Sequence, residues 1–224
     1  MKHEPATPVT VAVIFHSGYG HTARQAAAVR RGIERVAGAS ALYLTSDEAK
    51  GRLGDLEFAD AMIFGAPTYM GSASGPFKTF MDSTSKSYAT GAWKDKIAAG
   101  FTNSGSRSGD KLATLTQFAV FAAQHRMHWV NLGLPAGNNT THGSEQDLNR
   151  LGFWLGAAAQ SNNDSGPDVA PPESDLLTAE HLGERVALVT QQLVRGRLPA
   201  VSINHGLVSN TDHGPPNVGQ DTTR

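Results

Sequence analysis

The run Val9-Thr10-Val11-Ala12-Val13-Ile14-Phe15 passes directly into His16-Ser17-Gly18-Tyr19-Gly20-His21-Thr22. A β-branched stretch that is apolar at nearly every position predicts a strand buried on both faces, inside a covered parallel sheet. A glycine-rich turn follows, and Ala26, Val29, Ile33 and Val36 then recur at helical spacing, with Gly38 marking a stop. Strand, glycine turn and helix in that order place unpaired backbone N–H groups at the carboxyl end of a strand. That is where an anion is held most readily.

The alternation continues along the chain. Ala41–Leu44, Ala61–Gly65, Ile97–Phe101 and His128–Leu132 read as four further strands. Helical stripes appear at Phe77, Phe80 and Met81, opened by Pro76, and at Leu112, Leu115, Phe118 and Ala122. A last stripe has Leu182, Val186, Val189 and Leu193. This order predicts a doubly wound α/β domain over residues 1–195, with ligands bound at the carboxyl ends of the strands. Residues 135–172, rich in Asn, Gly, Ser and Pro, read as an irregular insert, and 196–224 as a polar tail.

Composition removes several classes of function. The chain has no cysteine, which excludes disulfides, iron–sulfur clusters and thiolate catalysis, and no metal site is expected. Nineteen Lys and Arg against twenty Asp and Glu give no basic surface for nucleic acid or membranes. With no apolar run of membrane length and no signal peptide, a cytoplasmic protein is expected.

Three strand-end loops carry the candidate chemistry. Ser17 to Thr22 offers neutral donors for a phosphate. Pro67-Thr68-Tyr69-Met70-Gly71-Ser72 and Thr102-Asn103-Ser104-Gly105-Ser106-Arg107 follow the next buried strands. Gly18 to Ala23 also fits G-x-G-x-x-A, a dinucleotide pattern. Its acid would be Asp47, about 27 residues on, where about 20 is usual. No G-x-S-x-G surrounds Ser17, so a hydrolase is not expected.

The phosphate loop, the Gly65-Ala66-Pro67-Thr68-Tyr69 turn and the segment Gly71 to Asp82 together resemble the flavodoxin-like superfamily. Within it they resemble the NAD(P)H:quinone oxidoreductases of the tryptophan-repressor-binding-protein type and the NADPH-dependent FMN reductases. The resemblance implies a five-stranded parallel sheet with helices on both faces, and FMN as cofactor. Ser17, Gly18, Tyr19, Gly20, His21 and Thr22 would hold the FMN phosphate. The loop from Pro67 to Ser72 would run along the isoalloxazine ring, and Thr102 to Arg107 would approach its other edge. Tyr88 and His125 match catalytic positions, the histidine often serving a neighbouring subunit's pocket. For His125, packing at a helix end is the competing role.

The implied activity is transfer of two electrons from NAD(P)H to a quinone or similar small acceptor by a ping-pong route, in a homo-dimer or homo-tetramer. A flavodoxin-type electron carrier and an NAD-binding Rossmann protein are the alternatives. Carriers of that kind are usually strongly acidic, and this chain is nearly neutral. Arg107 near the ring would also favour two-electron chemistry. The family's Arg-Phe is replaced here by Tyr69-Met70.

Overall fold

The computed structural model describes residues 7–197. The elements are β1 (Val9–Phe15), α1 (His21–Glu34), β2 (Ala39–Thr45), α2 (Ser46–Gly51), α3 (Leu53–Phe58), β3 (Ala61–Tyr69) and β4 (Ser72–Ala73). There follow α4 (Gly75–Ser83), α5 (Ser85–Thr90), β5 (Ile97–Ser104), α6 (Lys111–Gln124), β6 (His128–Trp129), β7 (Ala157–Gln160) and α7 (Glu173–Gly196). The expected tail lies outside the described residues from 198 onward.

The sheet order is β2-β1-β3-β5-β6, with β7 also on β5 and β4 forming an antiparallel hairpin with β3. Every other pairing is parallel. This is the flavodoxin-like doubly wound order, whose topological switch point lies between β1 and β3. Two short helices, α2 and α3, make the crossover from β2 to β3, where the sequence reading has a direct strand-to-strand step. Parallel strands require such a crossover. Thr45 and Glu48 open it with a reciprocal capping box.

The pleat of β1 sorts the core. Val11, Val13 and Phe15 pack with Val29 and Ile33 of α1 and Leu182 and Val186 of α7. Ala12 and Ile14 face the other way, toward Phe77 and Phe80 of α4 and Leu115 and Phe118 of α6. Helices α1 and α7 meet at glycines: a Cβ on Gly32 would strike the backbone of Glu180, and one on Gly183 the carbonyl of Val29.

The fifth strand position is shared. Strand β6 pairs with Ile97 and Ala98 at the start of β5, and β7 with Phe101 to Ser104 at its end. Residues 130–156 leave the sheet between them. The fifth strand thus stops short of the predicted Leu132, and the 135–172 stretch is not irregular throughout. Ala157-Ala158-Ala159-Gln160 has no β-branched or aromatic residue, so propensity gives no strand signal there. Pairing with the buried edge of β5 makes it a strand. Among the described residues no helix is long and apolar enough to cross a membrane.

Candidate functional site

A cavity of about 880 Å³ opens at the carboxyl ends of β1, β3, β5 and β7. The first wall is the turn from β1 into α1. Gly20 caps α1 at φ 89°, a left-handed conformation that costs glycine nothing. The Ser17 hydroxyl oxygen accepts from the N–H groups of Gly20 and Ala23, both at 3.1 Å, so its proton remains free to donate. Among the described residues the N–H groups of Gly18, Tyr19, His21 and Thr22 have no protein acceptor. They sit at the positive end of the α1 dipole, beside the cavity-lining side chains of Ser17, Tyr19, His21 and Thr22. The lining includes no lysine, arginine or carboxylate.

The second wall is the end of β3. Pro67, Thr68, Tyr69 and Met70 line the cavity, while Gly71 and Ser72 lie beyond its rim. Thr68 Oγ1 is 2.8 Å from both Thr102 Oγ1 and Thr114 Oγ1, and Thr102 donates to the Ala66 carbonyl. Thr102 is therefore a buried support and not a lining residue. Met70 at φ 46° and Gly71 at φ 81° form the two-residue turn of the β3–β4 hairpin, with Met70 fully exposed.

The third wall departs most from the sequence reading. Asn103, Ser104 and Gly105 line the cavity, but Ser106 and Arg107 do not. The Arg107 guanidinium lies 2.7 Å from Glu145 in the inserted segment, so it does not reach the cavity. Glu145 in turn binds Arg150, whose guanidinium grips the buried Asp175 carboxylate through two 2.8 Å hydrogen bonds.

A fourth wall has no counterpart in the sequence reading. Ser161, Asn163, Ser165, Gly166 and Pro167, after β7, complete the cavity. Ser161 donates to Asn103 Oδ1 at 2.9 Å, and His21 Nε2 donates to the Ser165 carbonyl at 2.8 Å. A polar, glycine-bearing loop at a strand end was the available signal, but it required recognising β7 as a strand.

Tyr88 and His125 lie elsewhere. Helix α6 starts at the carboxyl end of β5 and runs back to the start of β6, so His125 at its end is at the opposite edge of the sheet from the cavity. His125 is 4% exposed, stacks on Trp93 at 4.3 Å and meets the Tyr88 ring edge-on at 6.0 Å. Burial, reinforced by nearby Arg126, lowers its pKa to about 4. Within one chain it packs a helix end. Asp47 is engaged with Lys50 at 2.7 Å in α2, which occupies the acid that a dinucleotide ribose would need.

Residues 37–141 match the family model described as NADPH-dependent FMN reductase. Flavodoxin FldP of Pseudomonas aeruginosa is 43% identical, over 81% of this chain and 96% of its own length. The NAD(P)H dehydrogenase (quinone) of Aromatoleum aromaticum is 30% identical, over 84% and 98% respectively. The chain belongs to the flavodoxin-like NAD(P)H:quinone oxidoreductase and FMN reductase family. A solved flavodoxin, WrbA-like protein from Agrobacterium tumefaciens agrees in fold, with a TM-score of 0.63 at 37% identity over 82% of this chain and 98% of that one. In this family the cavity stands where the fold places its ligand, at the β1/β3 switch point.

Proposed function

We propose that this chain is an FMN-dependent oxidoreductase, passing two electrons from NAD(P)H to a quinone or similar small acceptor. The observation that carries the reading is the set of N–H groups of Gly18, Tyr19, His21 and Thr22 without a protein acceptor among the described residues, beside a cavity lined without lysine, arginine or carboxylate. A doubly ionised phosphate needs such a place, because the helix dipole and hydrogen bonds offset its charge without a fixed counter-ion. About 880 Å³ lies within the usual range for a cofactor-sized ligand.

When bound, FMN supplies the capacity to accept and return two electrons. The residues supply placement. Ser17, Thr22 and the loop N–H groups hold the phosphate. Thr68, locked by Thr102 and Thr114, fixes the floor, and Tyr69, Met70, Asn103 and Ser104 border the flat ring. The described part of the chain acts as one FMN-binding domain, in the cytoplasm where NAD(P)H is available. We place the half-exposed Tyr88, which covers the buried His125, at a contact with a second copy of the chain, within a homo-dimer or homo-tetramer.

Absorbance of the purified protein and a fluorescence titration with FMN test the cofactor. Anaerobic mixing with NADH and NADPH tests the donor. Parallel initial-rate lines over varied NAD(P)H and quinone are expected from one shared site used in turn. Intersecting lines would sink the ping-pong route.

The 43% identity to a protein named flavodoxin favours a second reading, an electron carrier served by a separate reductase. Its signature is FMN binding with no reduction by either nicotinamide.

A further inference from the structure

Lys111 is the first residue of α6 and is 0% exposed. Its ammonium donates to Ser104 Oγ at 2.6 Å, to the Arg107 carbonyl at 3.2 Å and to the Ser106 carbonyl. All three acceptors are neutral. Among the described residues no carboxylate lies within ion-pairing distance of it. Arg107 and Arg150 are joined to Glu145, Arg150 also takes Asp175, and the adjacent Asp110 makes no ion pair with Lys111. A buried cation bonded only to neutral oxygens loses hydration, and the nearby Asp175 carboxylate, already held by Arg150, offsets only part of that loss. In keeping with that, burial lowers the pKa of the ammonium to about 8. Ser104 lines the cavity, so this charge stands one side chain behind the wall.

We propose that Lys111 biases the site toward the reduced cofactor, acting as a fixed positive charge behind Ser104 that favours whichever ligand state is more negative. The proposal rests on the FMN reading. A hydride from nicotinamide brings two electrons and one proton, so the ring system becomes one unit more negative and the donor leaves as NAD(P)⁺. Returning the hydride to a quinone, with one proton from solvent, restores the ring and gives the quinol. The two ligand states thus differ by one charge. A cation in a poorly solvated wall separates them where a screened surface charge would not. The chain is nearly neutral overall, so no acidic field opposes this local effect.

Lys111 also braces the 104–107 loop, so the test separates charge from bracing. Dissociation constants for oxidised and for dithionite-reduced FMN are measured anaerobically on the wild type and on Lys111→Gln, Lys111→Met and Lys111→Arg. Gln retains a donor without the charge, and Arg retains the charge.

The expected result is oxidised-FMN affinity within about threefold of wild type in all four proteins. Gln and Met should weaken reduced-FMN binding about tenfold relative to oxidised, which lowers the two-electron midpoint by about 30 mV. Arg should hold the wild-type ratio. Equal loss in both redox states, or an unchanged ratio, assigns Lys111 to bracing and overturns the proposal.

Should the variants fail to fold, the wild type alone decides. Tighter binding of reduced than of oxidised FMN supports the proposal, and the reverse order overturns it. A wild type that binds no FMN overturns the functional reading first and this inference with it. Binding with the wrong ratio overturns this inference alone.

Discussion

The His21 ring nitrogen Nε2 lies 2.8 Å from the carbonyl oxygen of Ser165, across 144 positions of sequence. It ties the loop between β1 and α1 to the wall that follows β7. Arg24 repeats the link one turn later, with a 2.7 Å hydrogen bond to the Pro167 carbonyl, and the Pro167 ring sits against Gly20 where no Cβ could stand. His21→Ala removes one hydrogen bond from this clamp and leaves the loop N–H groups in place. A net hydrogen bond is worth about 1 kcal/mol. The apoprotein should therefore melt roughly 2–4 °C lower, and FMN affinity should fall by up to about fivefold, read by flavin fluorescence, as the loop loses its tie to the fourth wall. An affinity equal to wild type would show that the clamp does not shape the phosphate site.

The contact between α1 and α7 makes a prediction of sign. Helix propensity alone says that Gly183→Ala stabilises α7, since glycine costs about 0.5–1 kcal/mol relative to alanine inside a helix. The methyl group added at that position would meet the Val29 carbonyl, and backbone cannot yield as a side-chain tip can. Overpacking of this kind costs about 1–3 kcal/mol. The variant should melt several degrees lower, at roughly 2–4 °C per kcal/mol for a chain of this size. A higher melting temperature would mean that the helices separate without loss.

Where the sequence was readable, local pattern and global fold agreed. The Val9–Phe15 run, the glycine turn behind it and the helical stripes each have one physical solution, and the parallel order follows from their alternation. The unread parts depend on partners far away in sequence. Ala157–Gln160 is a strand only because β5 offers it an edge, and Ser161 to Pro167 reach the cavity only through that strand. Arg107 looks like a ring contact from its neighbours, yet Glu145, 38 positions on, holds it away. Lys111 carries no local sign of burial, because its three acceptors are met only once the loop folds over it.

Met70 occupies a turn position that favours Asn, Asp or Gly, and its fully exposed side chain gains nothing from packing. The left-handed backbone costs a residue of this kind on the order of 1 kcal/mol. Met70→Asn should raise apoprotein stability by up to about 1 kcal/mol, or roughly 2–4 °C in melting temperature. FMN affinity should fall in the same variant, since Met70 lines the cavity. Stability and binding moving in opposite directions would identify the strain as retained for the ligand. A variant that improves both, or neither, would remove that interpretation.

His125 sets the acid limit of the fold. Thr84 Oγ1 donates to the Met81 carbonyl at 2.7 Å and therefore accepts from His125 Nε2, at 2.9 Å. This fixes the neutral tautomer and leaves Nδ1 buried without a partner. A proton added at Nδ1 would face the Trp93 and Phe121 rings, with Arg126 nearby, which is why the pKa falls to about 4. In the unfolded chain the group titrates near 6.5. Between those values the unfolded state takes up a proton that the folded state refuses. Stability is therefore full above about pH 6.5 and declines as pH drops toward 4, by at most about 1.4 kcal/mol per pH unit from this group. His125→Gln keeps a donor for Thr84 and does not titrate. Urea denaturation at pH 7.5, 6 and 5 should show the wild type losing stability faster than the variant, with the gap widening as pH falls. Parallel declines would place the acid sensitivity in other groups and return His125 to ordinary packing.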